Sequence, residues 1–409
     1  MSASNGPRLR NEIEAIPIQQ DGKRMFVLRD VSGLAPDQLV VSAAVVYILH
    51  LFDGSHDLAA VSANLKKTFD DEVPVAQLEE LVTSLDKAHF LAGAGLDAFR
   101  RAKLDAFRAA PSRPFVHSGV AYPCDAAEFA AWSANLAKIS DPAARGTLVG
   151  AAAPHIDLRF GGRGCRAVHD QRAERRSDAD VIVVLGTGHA AGDDLFTLTR
   201  QDFATPLGTV ATDRELVDAI ARKAGGDELF RSELLHASEH TVEFQSVFVP
   251  LAGAAATRPR ILPVLVGSLH RHMTEGKEPW SDVRMKRFVE ALGEEADRLK
   301  RRVVHVASID LSHMGPRYGD PTGLTPDEAT QVEREDRELL GFAERGDPEG
   351  FFFHNQKLGD RRRVCGFSAL YTLLRLLPGA RGRVLDYTQT TFPDSQDTVA
   401  HCAMVFEKP

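Results

Sequence analysis

Histidine residues follow several apolar segments of the chain at the point where each segment ends. "LVGAAAPH" leads to His155 and "VIVVLGTGH" leads to His189, while Asp310 and His313 follow a third apolar run. In open α/β sheets, ligands bind beyond the carboxyl ends of the strands. A hydrogen-bonded structural histidine is the commoner explanation at any single strand end. The repetition at three strand ends predicts instead that these side chains meet at one rim of a sheet.

A thiol joins this set in the segment "RRRVCGFSALYTLLRLL", where Cys365 precedes Gly366 at the start of an apolar helix. Because a helix N-terminus favours the thiolate, we expect a lowered pKa for this thiol. The local sequence is equally compatible with a small, buried, inert side chain. Imidazole and carboxylate bind zinc and non-haem iron, and a thiolate favours copper(I) or zinc. These residue types are those of a metal site, and the local sequence leaves the role of Cys365 open.

The segment "HASEHTVEFQSVFVP" places His240 between Glu239 and Glu243. An imidazole flanked by carboxylates can act as a base, orient a neighbouring ligand or bind an anion. The two glutamates are also four residues apart, which is the spacing of a solvated helix face. The sequence leaves these alternatives open.

Other chemistries are excluded or left open by the motifs. The chain has no GxGxxG or GxxxxGK[ST] phosphate-binding loop and no GxSxG nucleophile elbow. Cys365 could also be the nucleophile of a thiol or hydrolytic enzyme, with His155 or His189 as its base. The three consecutive arginines 361–363 are interpreted as solvated surface, with anion steering as the less favoured alternative.

The elements that must position these residues fall into two regions. From about residue 115, near-continuous apolar strands alternate with helical segments, which predicts an α/β domain with helices on both faces of the sheet. Capping boxes predict helix starts at Thr212 and Thr325. The region before it has a strand, "RMFVLRD", and three amphipathic helices, typical of a small winged-helix-like module. We therefore predict domains at 1–97 and 115–409, joined by a charged, alanine-rich linker at 98–114.

Composition limits the class of protein. A chain of 409 residues, 44% hydrophobic and 26% charged, predicts a globular protein of two domains. A net charge of -8 is unlike that of a nucleic-acid binder, and no apolar run reaches the length of a membrane span. The four cysteines are dispersed without a CxxC motif, which favours a reducing compartment. We expect a cytoplasmic protein that binds neither nucleic acid nor membrane.

Seven motifs in order, "APHID", "LGTGH", "TPLGTVATD", "EHTVEFQ", "ILPVLVGSL", "SIDLSHMG" and "VCGFSAL", resemble the Memo family in its prokaryotic form, AmmeMemoRadiSam system protein B. The resemblance covers about residues 115–408. It implies the fold of LigB-type extradiol dioxygenases, which is a mixed, mainly parallel sheet flanked by helices.

The resemblance also implies a site, position by position. The metal ligands, for one iron or copper ion, would be His155, His189 and Cys365. The pocket residues with catalytic roles would be Asp310, His313 and His240, and a histidine at the place of His313 acts as acid or base in the dioxygenase relatives. The implied function is oxygen- or redox-linked chemistry by a metal-dependent oxidoreductase. The alternative is a non-catalytic module that grips a peptide or protein in a remnant of the pocket.

Two further features qualify the resemblance. The chain departs from the family in the loop after His155, where Asp157 and Arg159 stand, so we expect its own specificity to arise there. The N-terminal region resembles PqqD-like modules, which bind leader peptides beside radical SAM enzymes. This implies a peptide or protein partner and a pathway with radical SAM and AMMECR-type proteins.

Overall fold

The computed structural model describes residues 6–35, 37–70, 73–141, 143–144, 146–174, 179–251 and 258–409. The chain divides into two compact units, Met1–Ala109 and Ala110–Pro409. None of the helices in the described parts is both long enough and apolar enough to span a bilayer.

The first unit contains a small antiparallel sheet with the strand order β1-β2-β3. Its strands and helices are β1 (Ile13–Gln20), β2 (Lys23–Asp30), β3 (Leu39–Ser42), α1 (Ala43–His50), α2 (Leu58–Phe69), α3 (Val75–Lys87) and α4 (Ala94–Ala109). Leu28 of the sheet packs with Phe52, Val61, Leu78 and Phe90 in a separate apolar core. A separate small N-terminal unit is therefore confirmed, and its sheet has three strands where the sequence predicted one. Helix α4 also covers most of the segment interpreted as a linker.

The second unit is built on an eight-stranded sheet with the order β10-β11-β4-β8-β5-β7-β6, and β9 pairs with β11. The strands are β4 (Thr147–Ala153), β5 (Val181–Thr187), β6 (Phe196–Leu198), β7 (Arg260–Val266), β8 (Val303–Ser308), β9 (His313–Met314), β10 (Arg381–Phe392) and β11 (Asp397–Lys408). The neighbouring strands β4, β8, β5 and β7 are parallel, and the flanking pairs are antiparallel. This confirms the predicted mixed α/β sheet.

Helices flank this sheet, and β5 shows how its two faces are filled. The helices are α5 (Ala126–Asn135), α6 (Leu158–Glu174), α7 (Arg214–Ala224), α8 (His240–Ser246), α9 (His270–Glu275), α10 (Val283–Arg298), α11 (Pro326–Glu344), α12 (Pro348–Lys357) and α13 (Phe367–Leu376). Val183 and Leu185 pack into one core with α7, α10 and α13, while Ile182 and Val184 pack into another with α6 and α8. Alternate side chains of a strand point to opposite faces, so burial on both faces produces the continuous apolar run.

One predicted helix start is confirmed and the other is wrong. The Thr325 main-chain N–H donates to the Glu328 carboxylate at 2.8 Å, and the Thr325 hydroxyl accepts in return, so this capping box exists. At α7 the cap is Asp213, not Thr212. The hydroxyl of Thr212 donates instead to the carbonyl oxygen of Gln201 at 2.5 Å, which ties it to another segment.

The interpretation of the three arginines as surface is wrong for Arg362, whose side chain is 1% exposed. It forms an ion pair with the buried carboxylate of Asp336 on α11. Ser312 and Tyr387 donate to the same carboxylate at 2.6 and 3.0 Å. The counter-charge comes from a helix distant in the sequence, so the local arginine run does not reveal it.

Candidate metal centre

Three adjacent parallel strands end at one rim of the sheet, and each carries a polar residue two positions beyond its last residue. His155 follows β4, Asp310 follows β8 and His189 follows β5. Strand β8 pairs with both β4 and β5, so Asp310 comes from the middle strand. The prediction that these strand ends meet is therefore confirmed.

His155 lies at the centre of the cluster and is 2% exposed. Its Nδ1 is 2.9 Å from the carbonyl oxygen of Ser308, and its Nε2 is 3.1 Å from Cys365 Sγ and 3.6 Å from Asp310 Oδ2. The main-chain N–H of His155 donates to Asp310 Oδ1 at 3.1 Å. Burial lowers the pKa of His155 to about 3, against the opposing effect of Asp310. The imidazole is therefore neutral near pH 7, the form that binds metals.

His189 and His240 stack beside it, with ring centroids 5.1 Å apart. Both are held by Glu239, whose Oε2 is 3.1 Å from His189 Nδ1 and whose Oε1 is 3.0 Å from His240 Nδ1. Glu239 also caps α8 through the first two main-chain N–H groups of that helix. Burial raises the pKa of Glu239, but the two histidines outweigh burial and hold it well below its usual range. Glu239 is thus a carboxylate that orients two imidazoles.

Among the residues that the structure describes, two groups of possible metal donors share His155. One consists of His155, His189 and His240, and the other of His155, Asp310 and Cys365. Within each group, the donor atoms lie within 4.8 Å of one another. The structure therefore brings five of the six predicted site residues into one cluster around His155.

The sixth predicted residue, His313, lies on β9 beside this cluster. Its Nδ1 is 2.9 Å from the carbonyl oxygen of Leu311, and its ring contacts the ring of Tyr318 at 5.0 Å. Burial raises the pKa of Asp310, but the nearby His155 and His313 outweigh burial and lower it. His313 is therefore within electrostatic reach of the cluster, although it belongs to neither donor group.

The four histidines share one orientation. In His155, His189, His240 and His313, the Nδ1 atom faces an oxygen acceptor, so the neutral form of each ring carries its proton there and keeps a lone pair on Nε2. Histidines that bind metals usually donate their other ring N–H to a carbonyl or carboxylate in this way. The residues therefore fit a metal ion, with the required tautomer already set.

Cys365 reaches the cluster because the chain passes very close to the end of β8. The N–H of Gly366 donates to the carbonyl oxygen of Asp310 at 3.0 Å. A Cβ at position 366 would lie 2.3 Å from Ile309 Cβ, which no packed side chain tolerates. Glycine is therefore required for Cys365 to stand beside His155.

The expected lowering of the Cys365 pKa is wrong for the thiol without a metal. Although α13 begins close by, burial raises the pKa of this thiol well above its usual range, and the charges of Asp310 and Glu239 raise it further. Without a metal, Cys365 is therefore a protonated thiol. This argues against the alternative in which Cys365 is the nucleophile of a thiol or hydrolytic enzyme. A metal cation held by Cys365 would reverse this balance, since a thiol that coordinates a metal is deprotonated.

The alternative of a solvated helix face for Glu239 and Glu243 is wrong. The side chain of Glu243 is 1% exposed and pairs with Arg113. Tyr122 and His117 also bond to its carboxylate. The sequence did not indicate that Glu239 and Glu243 hold neighbouring histidines, although their spacing around His240 was the available signal. It did not indicate His117 either, because that residue follows no strand.

The chain is similar to known proteins along almost its whole length. A family model described as "Memo-like protein" matches residues 113–405. A MEMO1 family protein of Aquifex aeolicus is 24% identical over 405 residues, which cover 97% of this chain and 100% of the relative. A MEMO1 family protein of Thermococcus onnurineus is 29% identical over 273 residues, covering 62% of this chain and 85% of the relative.

Proposed function

Because the chain belongs to the Memo-like protein family, we propose that it is a metalloprotein that binds one iron or copper ion at the cluster around His155. The ligands in this proposal are His155, His189 and Cys365. The observation that carries it is the shared orientation of the imidazoles: Nδ1 of His155 and of His189 faces an oxygen acceptor, and Nε2 of His155 faces Cys365 Sγ, the third proposed ligand.

The donor types support iron or copper. Two imidazoles with a thiolate suit copper, and two imidazoles with a carboxylate suit non-haem iron. Cys365 and Asp310 lie on the same side of His155, so both donor types are available to one ion.

The protein residues around such an ion have separate tasks. When bound, the metal would supply redox or Lewis-acid chemistry toward oxygen or substrate, as expected for an oxidoreductase. Ser308 and Glu239 hold the imidazoles in place. His240 and His313, each with a free lone pair at Nε2, can accept a proton from a bound molecule. The peptide partner, the radical SAM pathway and the cytoplasmic location stay predictions from the sequence.

Metal analysis of the purified protein tests this proposal. We expect the wild type to retain one iron or copper ion per chain, and a His189→Ala, Cys365→Ala variant to retain none. A His270→Ala, Cys124→Ala variant is the matched control, because it removes the same residue types at exposed positions. Unchanged metal content in the first variant would contradict the proposed site.

A weaker but specific effect is expected from Glu239→Ala. Removing the carboxylate frees both His189 and His240 to rotate, and loss of such an outer partner typically lowers metal affinity about 10- to 100-fold. Competition against a chromophoric chelator measures the affinity. Glu228→Ala, at an exposed position, is the control. An affinity equal to that of the wild type would show that Glu239 does not position the ligands.

A further inference from the structure

A fifth imidazole, that of His117, lies beside the cluster but follows none of the strands that form it. Its ring centroid is 5.7 Å from that of His240 and 5.7 Å from that of Phe244. Its Nδ1 is 3.0 Å from Glu243 Oε2. His117 therefore repeats the orientation of the cluster histidines, with an acidic acceptor at Nδ1.

Glu243 is held so firmly that it determines this orientation. Besides His117 Nδ1, its carboxylate accepts bonds from Arg113, from the Tyr122 hydroxyl and from the main-chain N–H groups of Val116 and His117. Burial raises the pKa of Glu243, but the bond from His117 and the charge of Arg113 outweigh burial and lower it to about 2. An ionised carboxylate only accepts hydrogen bonds, so it keeps the proton of a neutral His117 on Nδ1 and the lone pair on Nε2.

The imidazole of His117 is not needed to hold the Glu243 carboxylate in place. The other four donors, from Arg113, Tyr122 and the main chain, would still bind the carboxylate without it. The side chain of His117 is 32% exposed, and its Nε2 makes no hydrogen bond to any residue that the structure describes. The free edge of the ring is therefore available to a molecule that enters from solvent.

The chemistry of the site limits what this molecule is. A lone pair on Nε2 pairs with a proton donor, such as a hydroxyl, an ammonium group or an amide N–H. An amide N–H does not lose its proton near neutral pH. An ammonium group would be repelled by a metal cation beside it. A free anion offers no proton to Nε2, and the carboxylates of Asp310 and Glu239 would repel it. A hydroxyl group is neutral, donates a proton and becomes a good metal ligand once that proton is lost.

We propose that His117 binds the hydroxyl group of a small molecule at the metal centre and accepts its proton when the oxygen becomes a metal ligand. This inference rests on the proposed function. The O–H bond breaks, the proton bonds to Nε2, and the electron pair stays on the oxygen. The Glu243 carboxylate stabilises the resulting imidazolium, as a carboxylate does for a histidine base.

The test compares two probes on protein loaded with copper(II) or iron(III), whichever it retains. Acetohydroxamic acid loses a hydroxyl proton when it binds a metal, and azide is an anion with no proton to lose. The variant is His117→Asn, because its amide can still donate to Glu243 in place of Nδ1 but has nothing in place of Nε2. We expect acetohydroxamate to bind the variant about tenfold more weakly, as for one lost hydrogen bond. Azide affinity and metal content should not change, and His270→Ala is the control.

Each other outcome overturns the inference. Equal acetohydroxamate affinity in the wild type and His117→Asn would show that Nε2 has no role. Equal weakening of both probes would show a general structural effect of the substitution. If the wild type retains no metal, the proposed function fails and the inference fails with it. If both proteins retain metal but bind acetohydroxamate equally, the inference about His117 fails while the proposed metal site stands.

Discussion

Replacing His155 by alanine should abolish metal retention, because it alone of the described residues belongs to both donor groups. Without its Nε2, only His189 and His240 remain of one group and only Asp310 and Cys365 of the other. We expect the affinity to fall by more than about 100-fold, which exceeds the 10- to 100-fold typical of outer partners.

The measurement is the same chelator competition, with the protein fold checked by circular dichroism. His305→Phe is the control, because His305 is also buried and lies on the neighbouring strand β8, outside both donor groups. A His155→Gly variant should regain part of its affinity when imidazole is added, since the free molecule can occupy the vacated position. Unaltered affinity in His155→Ala would place the metal elsewhere or exclude it.

The metal-free protein should lose stability steeply as the pH falls from about 6.5 to about 4. Burial lowers the pKa of His169 to about 3 and the pKa values of His236 and His305 to about 4. In the unfolded chain these histidines take up protons near pH 6.5, whereas in the folded protein they stay neutral. Protons therefore favour the unfolded state over this range, and each histidine contributes a slope that approaches about 1.4 kcal/mol per pH unit.

Urea unfolding at several pH values, after treatment with a chelator, measures this slope. In His305→Phe, the free energy of unfolding should depend less on pH near 5, by about 1 kcal/mol per pH unit. His270→Ala removes an exposed histidine and should leave the slope unchanged. A wild-type slope in His305→Phe would mean that His305 binds protons equally in the folded and unfolded states.

Much of the rim of the sheet could be predicted from local sequence. Strands β4, β5 and β8 are buried on both faces, so they occur as continuous apolar runs that end abruptly. The first polar side chains after each run, at His155, His189 and Asp310, must then lie where the strands end. Parallel pairing of the three strands brings these ends together, as predicted.

The anchors of the site could not be predicted in this way. Asp310 holds the main chain of His155 from 155 residues away, and Arg113 pairs with Glu243 from 130 residues away. In both pairs, the sequence around one residue does not reveal its partner. Arg362 is a further example. The sequence predicted a surface residue, but α11 places the carboxylate of Asp336 against it.

The sequence by itself determined the fold class, the family and the three strand ends that carry the cluster, because strand burial and residue spacing are local properties of the chain. Only the tertiary structure decided which residue lies at the centre, which carboxylates orient the imidazoles and how the Cys365 thiol titrates. Those properties depend on strand order, burial and the charges of residues distant in the chain. Strand β8 lies between β4 and β5, and the donors of both groups thereby converge on His155.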